Sequence, residues 1–475
     1  MAVMNEIHSR HFSRRTLLGG AGFLALASAF PISKSLLSDA NAASGKYVEP
    51  KRILSSGGAL KLTLEAAPAM VPFNTSKRWA LLYNKQLPAP TLVAKPGDTL
   101  KITVKNSTGF MTNLHTHGLH VSPLGKSDNP FIAIANGKSF DYEIKIPKNH
   151  TGGTYWYHPH HHMMVAEQVN AGLAGTIIIE DTSDSLAHYK ASSDRVIQFS
   201  DPKIGTDSSV LNATMMDSMH GRSGQYLLIN GAINPTITSK SGQVERWRLV
   251  NTCVSRYVTF SVDNADLIVL ATDAGRLETP LKTTSMTMTP GQRYEVVIAA
   301  RKSGALVVRD GQKAIATLST SALDTSAFLA KSADAIPVLR APSKSRTLKI
   351  VGAGMMQGMS GMGNGGGHEM AFTFDGQAFD PTSVNQRVKF GTVEDWVITN
   401  ESSMDHPFHI HAWNFQIVDR GDGKALPGWR DTVNVPTGMS VRIRIDFADF
   451  KGKTVYHCHI LDHEDAGMMG IVKVS

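Results

Sequence analysis

The chain has 475 residues, of which 42% are hydrophobic and 19% are charged, and its formal net charge at pH 7 is +8. This length predicts about three domains of ordinary size. The modest positive charge, without a basic run or a nucleic-acid motif, gives no reason to expect nucleic-acid binding, and two cysteines are too few for a disulfide framework.

The amino terminus has the pattern of an export signal. Arg14 and Arg15 precede an apolar run from Gly19 to Phe30, and Ala40-Asn41-Ala42 supplies small residues for cleavage. The pattern predicts a twin-arginine signal peptide over residues 1–42, removed after export to the bacterial periplasm. A transmembrane helix is the alternative, but the run is short and rich in Gly, Ala and Ser. No other segment is a candidate span, so we expect no membrane span in the mature chain.

A glycine followed nine residues later by an asparagine marks an internal repeat. The three copies are Gly97 with Asn106, Gly242 with Asn251, and Gly391 with Asn400. Each copy brackets a run of alternating polar and apolar residues, which is typical of a half-buried strand. The repeat predicts an all-β chain of three consecutive β-sandwich domains. We place them at residues 43–185, 186–338 and 339–475.

Histidines are concentrated next to the first and third copies of this repeat. Ten of the nineteen histidines fall in four clusters: His115-Thr116-His117, His158-Pro159-His160, His406-Pro407-Phe408-His409-Ile410-His411, and His457-Cys458-His459 with His463. The second copy instead runs into Cys253 and Tyr257. We therefore expect a metal centre between the first and third domains, a metal-free middle domain, and an inert buried thiol at Cys253.

The parity of a β-strand divides these residues into two sites. Successive side chains point to opposite faces, so His457 and His459 share one face and Cys458 points to the other. By the same argument His406 faces away from His409 and His411. A site of two histidines, a cysteine and a weak axial methionine is that of a blue-copper centre, and the candidates here are His406, Cys458, His463 and Met468.

The other eight histidines form four His-x-His pairs. Imidazoles converging beside a thiolate site indicate a multinuclear copper centre. Taken singly, a His-x-His pair is common on an exposed strand, and a lone His-Cys-His can bind zinc; all four together make that interpretation hard to sustain. His161 and His162 extend the second cluster but have no role that we can assign beyond supporting the site or lying at the surface.

In order and spacing, the four clusters resemble the signature of the multicopper oxidases, which include laccases, ascorbate oxidase and bacterial cuprous oxidases. The resemblance implies three cupredoxin-like Greek-key domains and four copper ions: one type 1, one type 2 and a type 3 pair. It implies that His115 and His409 bind the type 2 copper. It assigns the type 3 pair to His117, His158, His160, His411, His457 and His459. The implied reaction couples one-electron oxidation of a substrate to the reduction of dioxygen to water.

Two carboxylates occupy positions where related enzymes carry acidic residues that serve oxygen reduction. Glu464 directly follows His463, and Asp128 lies eleven residues after His117. Water formation consumes protons, so both are candidate proton donors. The alternative is that both are ordinary exposed carboxylates.

A methionine-rich segment points to the reductant. Residues 354–370 contain many glycines and the thioethers of Met355, Met356, Met359, Met362 and Met370. Thioethers select Cu(I), and bacterial cuprous oxidases carry a similar insert; the alternative is a flexible linker. Met404 matches a methionine of their Cu(I) site, but the expected aspartate is replaced by Ser402, which leaves Glu401 and Asp405 as candidates.

The favoured hypothesis is a periplasmic multicopper oxidase that oxidises Cu(I) to Cu(II) for copper tolerance, with dioxygen as acceptor. A laccase-like enzyme that oxidises phenols or another small aromatic or metal reductant is the second hypothesis. A cell-division scaffold of the same fold is the third, but the intact ligand set argues against it. A second cluster, Met215, Met216, Met219 and His220, is either an auxiliary site or core packing, and the sequence does not choose between them.

Overall fold

The computed structural model describes residues 45–73, 76–180, 193–205, 209–210, 212–323, 335–352 and 372–475. The predicted signal peptide and the methionine-rich segment 354–370 lie outside these residues. Within the described part of the chain, no helix has the length and apolar character needed to cross a membrane.

The first block of strands forms two facing sheets. Its elements are β1 (Arg52–Leu54), β2 (Ala59–Phe73), β3 (Ser76–Tyr83), β4 (Thr91–Ala94), β5 (Thr99–Asn106), β6 (His115–His117), β7 (Ser139–Lys145), β8 (Gly153–His158), helix α1 (Val165–Ala171) and β9 (Gly175–Ile179). The sheet orders are β3-β2-β5-β7 and β1-β4-β9-β8-β6. Alternating apolar side chains of both sheets, such as Leu64, Val104 and Ile177, close one core between them.

The second block repeats this plan without histidine clusters. Its elements are β10 (Ser193–Ser200), α2 (Met215–His220), β11 (Leu228–Ile229), β12 (Thr236–Thr238), β13 (Glu245–Asn251), β14 (Val258–Val262), β15 (Ala265–Thr272), β16 (Gly275–Thr283), β17 (Ser285–Met288), β18 (Arg293–Ala300), β19 (Gly304–Asp310) and β20 (Lys313–Thr320). The sheet orders are β11-β10-β13-β18-β15-β16 and β12-β20-β19-β14-β17. Cys253 is buried in this core and forms no disulfide.

The third block carries the carboxy-terminal clusters. Its elements are β21 (Lys344–Val351), β22 (Thr373–Phe374), β23 (Gln386–Val388), β24 (Val393–Asn400), β25 (His406–Ile410), β26 (Phe415–Asp419), β27 (Leu426–Arg430), β28 (Thr432–Val435), β29 (Ser440–Asp446), β30 (Gly452–Cys458), α3 (Leu461–Asp465) and β31 (Met469–Val474). The sheet orders are β22-β21-β24-β29-β26-β27 and β23-β31-β30-β25-β28.

The sequence repeat has one structural cause in all three blocks. Its glycines, Gly97, Gly242 and Gly391, have φ of 91°, 75° and 82°, a turn conformation that glycine adopts without strain. Its asparagines, Asn106, Asn251 and Asn400, end β5, β13 and β24. Each amide group donates hydrogen bonds to two carbonyl oxygens that lie later in the chain. The predicted all-β fold of three cupredoxin-like sandwiches is confirmed, while the domain boundaries at 185 and 338 stay predictions.

All three blocks meet beside α3. Val165 and Val169 of α1, Val254 of the second block and Leu461 of α3 form one small buried apolar cluster. The residue that follows Leu461, Asp462, pairs with Arg222 of the second block at 2.7 Å. The segment that carries His463 is therefore fixed by contacts with both other blocks.

Candidate metal centre

Cys458 lies at the centre of a three-residue group at the end of β30. Its Sγ lies 3.5 Å from His406 Nδ1 and 3.8 Å from His463 Nδ1, and these two nitrogens are 3.3 Å apart. The backbone N–H of Ile460 points at the sulfur from 3.4 Å. We call His406, Cys458 and His463, together with Met468, the thiolate cluster.

The hydrogen bonds of α3 hold Met468 beside this group. The Met468 N–H donates to the carbonyl of His463 at 2.9 Å, and the Cys458 N–H donates to the carbonyl of Met468 at 3.1 Å. Met468 is fully buried. The Met468 backbone is thus tied directly to the backbone of two other members of the cluster.

Each imidazole of the thiolate cluster is supported by a neighbouring side chain. Ser402 Oγ lies 2.8 Å from His406 Nε2, and Phe372 stacks on the ring of His463 at 3.9 Å. Burial lowers the pKa of His406 to about 4 and holds the pKa of His463 well below its ordinary value, so both rings are neutral. Burial also raises the pKa of the Cys458 thiol. A buried thiolate beside two neutral imidazoles needs a positive charge. A soft cation that replaces the thiol proton would supply it, because metal ligands must be deprotonated.

The eight remaining histidines form a second group between the first and third blocks, which we call the eight-histidine cluster. It comprises His115, His117, His158, His160, His409, His411, His457 and His459, all at most 2% exposed. Strand pairing fixes the positions of four of these histidines, because His115 lies opposite His158 and His409 lies opposite His457. Across the interface, the ring of His115 stacks on His411 at 3.7 Å and that of His117 stacks on His409 at 3.9 Å.

Three imidazoles of this cluster point their nitrogens at one place. His457 Nε2 lies 3.1 Å from both His160 Nε2 and His411 Nε2. Together these three residues form one of the groups whose donor atoms could hold a single metal ion. His117 and His459 form a second close ring pair, at 4.9 Å.

Buried nitrogens without a partner show that the cluster fits a metal. They belong to the following residues: His115 Nε2, His117 Nδ1, His158 Nε2, His409 Nε2, His411 Nδ1, and both nitrogens of His459. Each buried polar atom left without a hydrogen bond costs about 1–3 kcal/mol. Burial, and then the neighbouring rings, lower the pKa of His115 and His158 well below the ordinary value, so these rings are neutral ligands. Copper suits neutral imidazoles beside a thiolate.

An aspartate and an arginine that the sequence did not single out support this cluster. Asp431 Oδ1 lies 3.0 Å from His117 Nε2, and the Asp431 carbonyl lies 2.8 Å from His409 Nδ1. Arg293, from the middle block, donates to Asp431 Oδ1 and Oδ2 at 2.8 and 2.5 Å. The hydrogen bonds turn His117 Nδ1 and His409 Nε2 toward the cluster, as such partners do in metal sites. In the sequence Asp431 is only one member of a charged pair with Arg430, which does not distinguish it from an ordinary charged residue.

Both candidate proton donors are buried and touch the eight-histidine cluster. The Asp128 carboxylate lies 3.0 Å from His115 Nδ1 and accepts the backbone N–H of Thr116 at 2.8 Å. Glu464 Oε2 lies 3.0 Å from His457 Nδ1 and Oε1 lies 3.3 Å from His160 Nε2. Burial raises the pKa of Asp128 and of Glu464 to about 7. A carboxyl with this pKa both holds and releases a proton near neutrality.

The other predicted residues belong to neither cluster or fall outside the described chain. His161 and His162 are half-buried, and His162 packs on Phe379 with ring centroids 4.7 Å apart. Met404 is half-buried against the third core. Met355, Met356, Met359 and Met362 fall outside the described residues.

Two neighbouring acidic residues, Glu401 and Asp405, could supply the carboxylate that is missing at Ser402, but both have other partners. Glu401 pairs with Lys349 at 2.8 Å on the surface. Asp405 accepts hydrogen bonds from Asn434 Nδ2 and from the Thr437 N–H, each at 2.9 Å. Ser402 itself bonds His406 instead of offering a carboxylate.

Comparison with known proteins agrees with this geometry. Three family models described as multicopper oxidase match residues 66–184, 153–323 and 352–475. The multicopper oxidase mco of Staphylococcus aureus is 30% identical over 451 residues, which cover 90% of this chain and 91% of that protein. The laccase of Bacillus subtilis is 25% identical over 462 residues, covering 82% and 88%. The structure of a Campylobacter jejuni multicopper oxidase, described as a metallo-oxidase, covers 94% of this chain and 99% of its own, with 30% identity and a TM-score of 0.81. The chain belongs to the multicopper oxidases, oxidoreductases that use copper.

Proposed function

We propose that the protein is a periplasmic oxidase that takes electrons from Cu(I) and passes them to dioxygen, and that it serves copper tolerance. In the balanced reaction, four Cu(I), one dioxygen and four protons give four Cu(II) and two waters. The thiolate cluster would hold one type 1 copper, and His115 with His409 would hold the type 2 copper. The type 3 pair would be held by His117, His158, His160, His411, His457 and His459.

The choice of Cu(I) rests on the positions of the two residues that flank the methionine-rich sequence, Gly352 and Phe372. On one side, Gly352 packs against Ser402, whose hydroxyl bonds His406: a Cβ at Gly352 would lie 2.9 Å from Ser402 Cβ. On the other side, Phe372 stacks on His463. The thioether-rich sequence between these two residues is therefore joined to the chain beside both imidazoles of the thiolate cluster. Thioethers bind Cu(I) in preference to harder ions.

The residues of the chain divide the work between the two clusters. Bound copper would supply the one-electron redox chemistry. Cys458 is joined by peptide bonds to His457 and His459, so a covalent path of a few bonds connects the thiolate cluster to the eight-histidine cluster. Glu464 and Asp128 would hold protons at carboxyl oxygens next to ring nitrogens of that cluster, and they would deliver them as water forms.

Oxygen uptake with Cu(I), Fe(II) and a phenol, measured side by side, tests the substrate. We expect the full chain to favour Cu(I), and deletion of residues 354–370 to lower Cu(I) turnover selectively. A copper–thiolate centre absorbs at roughly 600 nm, and a Cys458→Ser variant should lose both this absorbance and oxygen uptake. Unchanged Cu(I) turnover after the deletion would contradict the role of the segment, and failure of the full chain to oxidise Cu(I) would contradict the proposal itself.

A laccase-like phenol oxidase is the second candidate, and the likeness to the Bacillus subtilis laccase favours it. Strong phenol oxidation without added copper would support it. Phenol oxidation that rises steeply when Cu(II) is added would instead favour the cuprous oxidase. A scaffold without redox activity would be revived only if copper-loaded protein showed no blue absorbance.

The periplasmic location is a separate part of the proposal and rests on the sequence of residues 1–42. Arg14→Lys and Arg15→Lys together should hold the protein in the cytoplasm, because the twin-arginine pair is read by the export machinery. Cell fractionation followed by immunoblotting measures the distribution. Periplasmic protein in the double variant would contradict export by this route.

A further inference from the structure

Helix α2 of the middle block exposes soft donor side chains to solvent. Met215 and Met216 are 69% and 61% exposed, Met219 is half-buried and His220 is exposed. The sequence left two interpretations of this group, and exposure rules out core packing for Met215 and Met216. Burial of apolar surface therefore accounts for little of the role of this exposed, adjacent pair.

Helical spacing joins the four side chains into one patch. Residues three and four apart on a helix are neighbours, with Cβ atoms about 5–6 Å apart. Met216 is therefore next to both Met219 and His220, and Met215 is next to Met219. Long, flexible thioethers at this spacing can converge on one ion.

The chemistry of the patch selects a soft monovalent cation. Thioethers and imidazole are ligands for Cu(I), whereas carboxylates suit harder ions. The one acidic residue of the helix, Asp217, is buried and turned away from the patch, because it caps the helix at Thr214 and pairs with Lys203 at 2.6 Å. The exposed face consequently offers three thioethers and one imidazole with no anionic ligand of its own.

Buried contacts fix α2 against the segment that carries His463. Arg222, two residues after the helix, donates from its backbone N–H and guanidinium to Asp462 at 2.9 and 2.7 Å. It also pairs with Glu167 of α1 at 2.9 Å. A Cβ on Gly221 would lie 3.2 Å from Ile460 Cγ2, which shows how closely these two segments approach each other. These contacts set the position of α2 relative to α3.

The patch adjoins the thiolate cluster directly. Helix α2 packs on α3, and the backbone of Met219 faces the imidazole of His463. His220 lies close enough to influence the same ring. We propose that Met215, Met216, Met219 and His220 form a Cu(I)-binding site on the middle domain, from which the electron enters the thiolate cluster through His463. The inference rests on the proposed function, since it names a place where Cu(I) would bind before oxidation.

A Met215→Leu/Met216→Leu double variant of the holoenzyme tests the site. Leucine keeps the size and the helix propensity of methionine but has no sulfur, and neither residue touches the two clusters. Cu(I) binding is measured without oxygen on the fully reduced holoenzyme, by competition with a coloured Cu(I) chelator. We expect the loss of one Cu(I) equivalent and a fall of at least about tenfold in kcat/KM for Cu(I), with kcat/KM for a phenol unchanged. Met111→Leu, an exposed methionine of the first block, is the matched control and should change neither quantity.

The outcomes separate this site from the proposed function. If the wild type oxidises Cu(I) and the double variant binds and oxidises it equally well, the site is wrong and the function stands. If Cu(I) and phenol turnover fall together, the helix has only a structural role and the site is again wrong. If the wild type does not oxidise Cu(I), the proposed function fails, and chelator competition alone decides whether α2 binds Cu(I).

Discussion

Arg293 offers the sharpest test of how the middle domain supports the metal centre. Its guanidinium is fully buried and donates to both carboxylate oxygens of Asp431. It also donates to the carbonyls of Thr154, Gly291 and Asp273 at 3.1, 2.9 and 2.6 Å. Burial alone would raise the pKa of Asp431, but Arg293 and then His117 hold it well below its ordinary value. Asp431 is therefore an anion, and Arg293 is its main counter-charge.

The variant Arg293→Leu would leave the buried carboxylates of Asp431 and Asp273 without their main cation, although Arg430 would remain nearby. Removal of one partner of a buried ion pair destabilises a protein by about 3–5 kcal/mol. Protonation of one carboxyl would limit this cost, but a neutral Asp431 would hold His117 less firmly. Loss of such a support weakens metal binding by about 10–100-fold. We expect both effects: lower stability of the copper-free protein and easier removal of copper.

The assay combines urea unfolding of copper-free protein with copper loss to a chelator. The absorbance near 600 nm (roughly) should persist in Arg293→Leu, because the thiolate cluster does not contact Arg293, while copper from the eight-histidine cluster should be lost first. Arg293→Lys keeps the charge but not the paired hydrogen bonds, so its stability and copper retention should lie between those of wild type and Arg293→Leu. Arg420→Leu removes a surface arginine that pairs with Asp422 at 2.6 Å, and it should leave both readouts unchanged. Wild-type stability and copper retention in Arg293→Leu would refute this reasoning.

Three further predictions address the proton donor, acid stability and packing. Glu464→Gln should slow oxygen reduction by about 10²–10⁴-fold, while anaerobic reduction of the blue centre stays normal. Burial raises the pKa of Glu464 to about 7, so the wild-type rate of oxygen reduction should fall above that pH. Stopped-flow kinetics with Asp128→Asn alongside decide whether Glu464 is the donor, and an unchanged rate excludes it. Burial raises the pKa of Asp194 but arginines lower it to about 2, so its stabilising effect is present above about pH 4 and lost as pH falls toward 2. Because a third of its side chain is exposed, Asp194→Asn should lower the free energy of unfolding by only about 1 kcal/mol at pH 7. A stability difference between wild type and variant, measured by urea unfolding, that does not narrow in acid would contradict this. Gly470→Ala would overlap the ring of Tyr456 on the adjacent strand and should destabilise by about 1–3 kcal/mol, partly reversed by Tyr456→Leu; equal urea midpoints for Gly470→Ala and wild type would contradict the packing.

The division of the histidines into two clusters could be predicted because a strand fixes it locally. Alternation places Cys458 opposite its two neighbours, and the three-residue step from His406 to His409 places them on opposite sides. The structure has this separation: His406 lies at Cys458 Sγ, whereas His409 pairs with His457 across the strands. Repeated spacing likewise predicted three sandwiches, since the same turn glycine and asparagine recur in each.

The support of the eight-histidine cluster could not be predicted, because it depends on contacts between distant parts of the chain. Asp431 reaches His117 across 314 residues and Arg293 across 138. Neither residue has a periodic or local signal that separates it from an ordinary charged residue. Gly118 is a partial exception: a Cβ there would overlap the guanidinium of Arg293 and lie 2.5 Å from Asp431. A glycine directly after a histidine pair thus marks a close approach whose partner only the structure identifies.

The middle domain supplies no ligand to the thiolate cluster or to the eight-histidine cluster, yet its residues border both. Gly291 has φ of 85° and its Cα faces the ring of His459, where a Cβ would lie 2.8 Å from the imidazole. Arg293, two residues later, holds Asp431 under the eight-histidine cluster, and Arg222 holds Asp462 beside His463. These contacts come from different strands and loops of one block, so loss of the block would expose and loosen both clusters together. A sandwich that supplies no ligand to either cluster therefore has a structural role in both: it holds two sets of neutral, closely packed imidazoles in place.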